Sequence, residues 1–315
     1  MKRIAILTVL VIIGLYTYSQ TAYITNRADG TVSVINVAKD TIVATIQVGT
    51  NPKGVSVSPD GNKVYITNSS SNTVSIISSL INAVSATVAV GRHPYGVAVS
   101  PDGSKVYVSN EYDNTISIIN TSTNTVSATI TVGTEPRGIC VSPDGNKVYV
   151  ANWETNTISV INTVTNSVSA TIIVASYPVG ISMCPDGSKL FVSNELNGMI
   201  SVINTATNAI SSTITVGDDP VGVSVSPDGS KVYVANELAN TVNVINCATN
   251  RVSATIKVDT YPWGISVSPD GSKAYVVNNY SNTLSVINTS NNTVLHTIKV
   301  GNSPIAFGNF ITPNK

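Results

Sequence analysis

The chain has little charge and few of the residues that build reactive or metal-binding centres. Of its 315 residues only 11% are charged, with 17 basic against 17 acidic, and there are two histidines, three cysteines and two tryptophans. Proteins that bind a phosphate backbone carry an excess of lysine and arginine, so nucleic acid is excluded as an expected partner. The histidines and cysteines are too few and too scattered for a zinc cluster or a haem ligand set.

The cysteines Cys140, Cys184 and Cys247 are an odd number, which argues against a closed disulfide framework. Each stands where other parts of the chain, related by the repeat described below, have serine or threonine. We therefore expect three small buried residues rather than functional thiols.

The longest apolar run is at the N terminus and is short. Two basic residues precede an apolar run over residues 4–15, and Thr17 and Ser19 occupy the −3 and −1 positions of a cleavage site before Gln20. This order is typical of a secretory signal peptide, and the run is shorter than the about 20 residues that a membrane span needs. The sequence predicts an exported protein, extracellular or on the cell surface. The alternative is that the same segment, uncleaved, is a membrane anchor.

What the sequence has in abundance is β-branched and turn-forming residues, arranged in a repeat of 42 residues. Self-similarity at a fixed period is typical of a repeat architecture. The tripeptide Pro-Asp-Gly begins at Pro59, Pro101, Pro143, Pro185, Pro227 and Pro269. An aromatic residue followed three positions later by asparagine occurs at Tyr23/Asn26, Tyr65/Asn68, Tyr107/Asn110, Tyr149/Asn152, Phe191/Asn194, Tyr233/Asn236 and Tyr275/Asn278.

One repeat, residues 49–90, contains four segments typical of short strands. They cover residues 54–58, 63–68, 73–77 and 83–90 and are separated by turn residues. Four short strands in a repeat of this length make one propeller blade. A β-helix has shorter repeats and a leucine-rich repeat has periodic leucine, so both are excluded.

The sequence therefore predicts an all-β, seven-bladed β-propeller with four antiparallel strands in each 42-residue blade. The predicted domains are a signal peptide at 1–19 and the propeller at 20–315. The C-terminal strand, near residues 304–311, completes the N-terminal blade and closes the ring, which removes exposed sheet edges. The predicted blades are 20–48 with 301–315, then 49–90, 91–132, 133–174, 175–216, 217–258 and 259–300.

The strings Tyr-Val-Ala-Asn and Tyr-Ile-Thr-Asn, after Ser-Pro-Asp-Gly and before strings such as Asn-Thr-Ile-Ser-Val-Ile-Asn, resemble the YVTN β-propeller repeat family. The resemblance covers nearly the whole predicted mature chain. It implies the propeller fold and, through the archaeal surface-layer proteins that contain such repeats, a place at the cell surface. Lactonase-like and haem- or quinone-associated propellers are more distant members, so the resemblance implies no single function.

The repeats differ most in the loops that enter each blade and in the loops after the motif asparagine. Alternating strand directions put both sets on one side, which we call the variable face. It carries both tryptophans, every tyrosine of residues 20–315 outside the motif, and ten acidic against four basic residues. Such loops are typical of a recognition surface. The candidate ligand-binding residues are Tyr95, Arg137, Tyr112, Trp153, Tyr177, Tyr261, Trp263, Glu111, Glu154, Glu195, Glu237 and His93.

Three functions remain open at this point. The first is a non-enzymatic binding or surface-layer scaffold module that recognises a cell-envelope protein or glycan, and the second is a passive component of an envelope layer. The third is a lactonase-like or glycosidase-like hydrolase that uses carboxylates around the central channel, with His93 and the glutamates just named as the residues to test. No catalytic residue or metal ligand is assigned. No cofactor is expected, apart from Ca²⁺ as an option at the acidic loops, and membrane contact is expected only through an uncleaved N terminus.

Overall fold

The computed structural model describes residues 20–313, so the predicted signal peptide lies outside the described residues. Within this range the chain forms seven antiparallel sheets, six of four strands and one of three. The predicted seven-bladed propeller is confirmed. Residues 20–313 contain no helix with the length and hydropathy of a membrane span.

The strands follow chain order from the axis to the rim of each blade. Blade 1 contains β1 (Thr21–Asn26), β2 (Thr31–Asn36) and β3 (Thr41–Gln47); blade 2 contains β4 (Pro52–Val57), β5 (Lys63–Asn68), β6 (Thr73–Ser78) and β7 (Ala83–Ala89). Blade 3 contains β8 (Pro94–Val99), β9 (Lys105–Asn110), β10 (Thr115–Asn120) and β11 (Thr125–Thr131); blade 4 contains β12 (Pro136–Val141), β13 (Lys147–Asn152), β14 (Thr157–Asn162) and β15 (Ser167–Ile173).

Blade 5 contains β16 (Pro178–Met183), β17 (Lys189–Asn194), a short 3₁₀ helix (Glu195–Asn197), β18 (Met199–Asn204) and β19 (Ala209–Thr215). Blade 6 contains β20 (Pro220–Val225), β21 (Lys231–Asn236), β22 (Thr241–Asn246) and β23 (Arg251–Lys257). Blade 7 contains β24 (Pro262–Val267), β25 (Lys273–Asn278), β26 (Thr283–Asn288) and β27 (Thr293–Lys299).

Burial along each blade explains the composition of its strands. The second and third strands are buried on both faces because a neighbouring blade covers each side, so they are continuous runs of valine, isoleucine and tyrosine. The fourth strand lies at the rim and is mostly exposed. The motif tyrosine packs across the blade boundary, as Tyr65 does against Val97 and Val106 of the next blade.

The motif asparagine ties together the top of its own blade. The side-chain amide of Asn68 donates to the hydroxyl oxygens of Thr73 at 3.1 Å and Ser75 at 2.9 Å. Its carbonyl oxygen accepts the backbone N–H of Gly49 at 3.1 Å, which anchors the loop that enters the blade. These bonds leave the loop residues beyond the asparagine free to vary without loss of the scaffold.

Residues 304–312 close the ring, as predicted, by antiparallel bridges from Pro304 to Asn26 and from Ile311 to Ala22. The closing segment differs from the predicted strand because it is not regular. Ala306 has a φ of 42° and Gly308 a φ of 120°, and both values interrupt an extended backbone. The segment therefore holds blade 1 by separate bridges rather than by a continuous ladder.

Additional side-chain contacts join blades 7 and 1. Asp40 stands where the other blades have asparagine, and its carboxylate accepts bonds from Lys273 Nζ at 2.6 Å and the Tyr275 hydroxyl at 2.8 Å. His296 Nε2 lies 3.3 Å from the same carboxylate. These contacts stabilise the one boundary where chain ends, rather than a continuous chain, complete the blade.

The six regular inner strands approach their neighbours so closely that each needs a glycine. A Cβ at Gly180 would overlap the carbonyl oxygen of Val221 in the next blade. The same overlap would occur at Gly54, Gly96, Gly138, Gly222 and Gly264. The seventh equivalent position is Ala306, in the irregular closing segment.

We expect Gly180→Ala to lower the free energy of unfolding by about 3 kcal/mol or more, because the added methyl group meets backbone rather than a movable side chain. Urea denaturation followed by tryptophan fluorescence measures this. The control is Ala306→Gly, which removes a methyl group at a positive φ and should leave the midpoint unchanged or raise it. Equal stability of Gly180→Ala and the native protein would contradict the argument.

Candidate functional site

The first residue after each entering proline points to the channel axis. These seven positions, which we call the inner ring, are Lys53, Tyr95, Arg137, Val179, Val221, Trp263 and Ile305. Hydroxyl groups of the preceding blade fix several of them: the Thr25 hydroxyl donates to the Lys53 carbonyl at 3.0 Å, and the Thr67 hydroxyl to the Tyr95 carbonyl at 2.7 Å. The backbone of the ring is therefore held, while its side chains vary from lysine to tryptophan, with valine in both blade 5 and blade 6.

The apolar part of the inner ring narrows the channel at the variable face. Tyr95, Val179, Val221 and Ile305 pack with Phe307 into one buried cluster, which we call the plug, and Trp153 and Trp263 pack against it. Below the plug a cavity of about 30 Å³, enough for one water molecule, lies among the axial glycines. A wider cavity of about 540 Å³ extends to the Pro-Asp-Gly turns at the other end. The variable face thus offers a shallow mouth rather than a deep channel.

A second ring follows the motif asparagines. These positions, which we call the middle ring, are Arg27, Ser69, Glu111, Trp153, Glu195, Glu237 and Asn279. Each is held beside the loop that enters its own blade; the Glu111 N–H, for instance, donates to the His93 carbonyl at 3.1 Å. The two loop sets therefore lie together on one face, and the two rings form the channel mouth.

One half of the mouth is organised around Glu111, which is only 4% exposed. Its carboxylate lies 2.5 Å from His93 Nδ1, 3.0 Å from Arg137 Nε and 3.7 Å from Lys53 Nζ. A single buried carboxylate therefore meets partners from three blades.

The neighbours of Glu111 keep its buried carboxyl group ionised. Burial alone raises the pKa of Glu111, but the His93 hydrogen bond and the charges of Lys53 and Arg137 outweigh it, so that the pKa is lowered. Burial lowers the pKa of Lys53 to about 8, and Glu111 partly opposes that shift. Glu111 therefore remains a carboxylate that pairs with Lys53 and Arg137 inside the mouth.

Arg137 joins this cluster to the rest of the mouth. Its guanidinium lies 4.0 Å from the ring centre of Trp153 and 3.7 Å from the Glu195 carboxylate. Trp153 also stacks on Tyr177 at 4.3 Å, and its indole N–H donates to Glu195 at 2.7 Å. Trp153 therefore has little free surface for a ligand.

The other half of the mouth is acidic. Carboxylate oxygens of Glu195, Asp219 and Glu237 all lie within 4.8 Å of one another. Burial, followed by repulsion from Asp219 and Glu195, raises the pKa of Glu237 to about 7, and burial with Glu195 also raises the pKa of Asp219. Such a group can hold a divalent cation or an organic cation, because either relieves the repulsion.

Aromatic pairs lie on both sides of the acidic group. Trp153 and Tyr177 border Glu195 from blades 4 and 5. On blade 7, next to the blade of Asp219 and Glu237, the rings of Tyr261 and Tyr280 lie 5.8 Å apart. Carboxylates between aromatic rings suit an ammonium or guanidinium group.

The structure brings together most of the sequence-predicted residues. His93, Tyr95, Glu111, Arg137, Trp153, Tyr177, Glu195, Glu237 and Trp263 form the connected mouth described above. Tyr112 joins it at the edge, 58% exposed and stacked on His93 at 4.2 Å, and Tyr261 lies at the rim. Glu154 is exposed in the blade 4 loop.

The sequence prediction omitted Lys53 and Asp219 as site residues, and it did not anticipate the plug. The sequence did contain a signal for the position of Lys53, because the residue after each entering proline recurs every 42 positions and varies from lysine to tryptophan. The burial of Tyr95, 3% exposed and edge-on to Phe307 at 5.4 Å, depended on the closing segment and was not readable from the repeat.

Two thiols are buried as predicted, Cys184 and Cys247. The third, Cys140, is half-buried and lines the wide cavity instead. The repeat pattern could not show this, because it does not reveal that position 140 lies on the channel side of the inner strand β12.

We expect Glu237→Gln to stabilise the protein at pH 8 and to change little at pH 5. The folded pKa of Glu237 is raised above the unfolded value, so the folded state binds more protons between them and stability falls as pH rises toward about 7. Thermal unfolding should show a midpoint higher by roughly 2 °C at pH 8. Glu154→Gln, an exposed change on the same face, is the control, and an equal gain at both pH values would contradict the raised pKa.

Comparison with known proteins places the chain among β-propellers. Residues 6–105 and 181–270 match the family model of YNCE-like beta-propellers, and residues 79–185 match that of Lactonase, 7-bladed beta-propeller. A search of curated proteins finds no match.

Solved structures agree on the architecture. Hydrazine synthase of Kuenenia stuttgartiensis superposes with a TM-score of 0.80 at 21% identity, over 86% of this chain and 92% of that one. A functionally unknown protein from Desulfotomaculum acetoxidans superposes with a TM-score of 0.78 at 19% identity, over 92% of this chain and 100% of that one. At these identities the likeness shows the fold alone. The YNCE-like model spans more than half of the residues, and the chain belongs to the YNCE-like β-propeller family.

Proposed function

We propose that the protein is an exported binding module that captures a cationic group of a cell-envelope protein at the channel mouth. The observation that carries this is the group of Glu195, Asp219 and Glu237, whose carboxylates lie within 4.8 Å of one another. The raised pKa values of Asp219 and Glu237 mean that these acids are under-compensated within the chain. A positive charge from outside would complete them.

The surroundings favour a protein side chain over a glycan. A sugar stacks on free aromatic faces, but Tyr95 is buried in the plug and Trp153 lies between Arg137 and Tyr177. The exposed rings at the rim are Tyr112, which stacks on His93, and Tyr261 and Tyr280 on blade 7, next to the blade of Asp219 and Glu237. Tyrosine rings near carboxylates suit a lysine or arginine side chain. The plug also limits how deep a ligand reaches, which favours a group presented on a surface.

The proposed location rests on the N-terminal sequence and on the resemblance to surface-layer repeats. A cleaved signal peptide would leave a mature protein that begins at Gln20, and the intact mass of the native protein tests this. A passive layer component is the alternative, in which the mouth has no partner.

The test is a pull-down from the cell-envelope fraction with residues 20–315. We expect the native protein to capture a partner and Glu195→Gln/Glu237→Gln to bind it at least about tenfold more weakly, since two of the charges that would meet the cation are removed. Asp113→Asn/Glu154→Gln removes the same charge from the same face outside the acidic group and should bind within about twofold of native.

If both double variants lose affinity for the partner equally, the effect comes from the total charge of the variable face, and the assignment to the acidic group is wrong. Protease treatment of the fraction should abolish capture, whereas periodate oxidation should not; the reverse would identify a glycan. No capture, together with self-association of the native protein in sedimentation velocity, would favour the passive layer. Tyr95 and Trp263 are unsuitable for substitution because they belong to the plug or pack against it.

A second candidate is lactone hydrolysis, favoured by the lactonase-family match over residues 79–185 and by Glu237. A carboxyl group with a pKa near 7 is suited to general base catalysis. Ionised Glu237 would take a proton from a water molecule while the oxygen of that water attacks the lactone carbonyl. Glu237 would then return the proton to the ring oxygen as the ring C–O bond breaks. Arg137, whose guanidinium lies 3.7 Å from Glu195, would stabilise the oxyanion.

A pH-stat assay of five- and six-membered lactones tests the second candidate. If it holds, the rate rises as pH increases through about 7, because only the ionised carboxylate is a base. Glu237→Gln should lose at least about a hundredfold in rate, and Glu154→Gln should lose none. A rate that survives Glu237→Gln would refute this role without affecting the binding proposal.

A further inference from the structure

The boundary between blades 5 and 6 carries two of the three cysteines. Cys184 immediately precedes the Pro-Asp-Gly turn of blade 5, and Cys247 follows the third strand of blade 6. Both are free thiols, buried in one apolar cluster that spans the boundary. The two residues meet in this cluster although they are far apart in the sequence, and each thiol shifts the pKa of the other.

Four of the other six blade boundaries have a serine and a threonine at these two positions. The equivalent pairs are Ser58 with Thr121, Ser100 with Thr163, Ser142 with Thr205 and Ser226 with Thr289. Cysteine has therefore replaced both partners of a single contact at a single boundary. One replacement could be a neutral exchange of small residues, but the coincidence of two points to a role for the pair.

The replaced hydroxyls make bonds that a thiol makes poorly. The Ser142 hydroxyl donates to Asp144 at 2.5 Å and accepts the Lys147 N–H at 2.9 Å, and the other turn serines do the same. The Thr205 hydroxyl donates to the Gly187 carbonyl at 2.5 Å, as its equivalents do in their blades. Since S–H is a weak donor and sulfur a weak acceptor, the cysteines have not been retained for these bonds.

The boundary is otherwise built like its neighbours. Lys189 Nζ donates to the Cys247 carbonyl at 2.8 Å, as Lys147 Nζ does to the Thr205 carbonyl at 3.2 Å. The two backbones are therefore held together by the standard inter-blade contact, and this brings the thiols into register.

We propose that Cys184 and Cys247 are a redox pair that closes to a disulfide between blades 5 and 6. The oxidant is a low-molecular-weight disulfide of the glutathione class. One protein thiolate attacks it, releasing one small thiol and forming a mixed disulfide; the second then attacks that bond, forming the protein disulfide and releasing the other small thiol. Two protein thiols are oxidised, one small disulfide is reduced, and the two protons lost by the cysteines leave on the released thiols.

Cys184 is the first nucleophile in this scheme. Interaction with Cys247 lowers the pKa of Cys184, and interaction with Cys184 raises that of Cys247. Cys140 provides an internal comparison, because burial raises its pKa to about 12 and it lies apart on the channel wall. Because the pair is buried, the first exchange requires local opening of the boundary and should be slow.

The bond would link the chain across a long loop and so restrict the unfolded state. It would also fix the two blades that carry Glu195, Asp219 and Glu237 in their mutual position. The proposal does not depend on the proposed function, since it concerns the opposite, Pro-Asp-Gly side of the blades.

The experiment uses the folded protein of residues 20–315, incubated with oxidised glutathione and then denatured and alkylated. The reduced protein should take three alkyl groups and the oxidised protein one, and a peptide map should join Cys184 to Cys247. The thermal midpoint should rise by roughly 5–10 °C on oxidation and return on treatment with dithiothreitol. Cys140→Ser should behave in the same way as the native protein, apart from its missing alkyl group.

The variant Cys184→Ser/Cys247→Thr restores the pair found at other boundaries and should fold with no oxidation-dependent shift. Three alkyl groups after prolonged oxidation, including near the unfolding midpoint where the boundary opens, would overturn the proposal. So would a map that places Cys140 in the bond, or stable glutathione adducts at Cys184 that never resolve.

Discussion

The whole ring depends on the contact between neighbouring inner strands at the axis. Each of the six regular inner strands presents a glycine to a backbone carbonyl oxygen of the next blade, as Gly180 does to Val221. No side chain fits there, so this contact sets how close seven wedge-shaped sheets can come. The same carbonyl oxygens accept bonds from hydroxyls on the second strands, as from Ser193 to Val221 at 2.8 Å. Packing and hydrogen bonding thus fix the backbone of the mouth before any variable side chain is considered.

Because the backbone of the mouth is held by repeated contacts, its side chains can differ between blades although the scaffold is regular. The bonds that hold the loops come from repeated residues such as Asn68 and from the backbone, so inner- and middle-ring side chains can change freely. Basic and acidic side chains are concentrated in different halves of the mouth. Lys53 and Arg137 converge on the buried Glu111. For the acidic group of Glu195, Asp219 and Glu237, Arg137 is the one cation within ion-pair distance among residues 20–313. Burying Glu111 among its partners costs desolvation that the ion pairs offset, which is typical of a site held for its geometry rather than for stability.

Two boundaries depart from the common pattern, each by a change of side-chain chemistry. At the closure, Asp40 replaces asparagine and binds Lys273 and Tyr275, where the chain ends leave only isolated bridges. At blades 5 and 6, Cys184 and Cys247 replace hydroxyl residues. The closure needs extra contacts because its ladder is interrupted. The boundary between blades 5 and 6 has its full backbone contacts. The replacement of hydroxyl residues by cysteines there is therefore not needed for closure of the ring, and it points to thiol chemistry.

The sequence by itself determined the repeat, the strands, the seven-bladed ring and the face that carries the variable loops. These follow from local rules, because turn residues and alternating β-branched residues act within one 42-residue unit. Only the tertiary structure decided that Tyr95 is buried in the plug, that Glu111 meets partners from three blades, and that Cys184 and Cys247 lie in one buried cluster. Each is a relation between residues of different blades, and its distance depends on how tightly the axial glycines let the ring close. A repeat specifies equivalent positions, but only the closed ring shows which unequal residues at those positions come into contact.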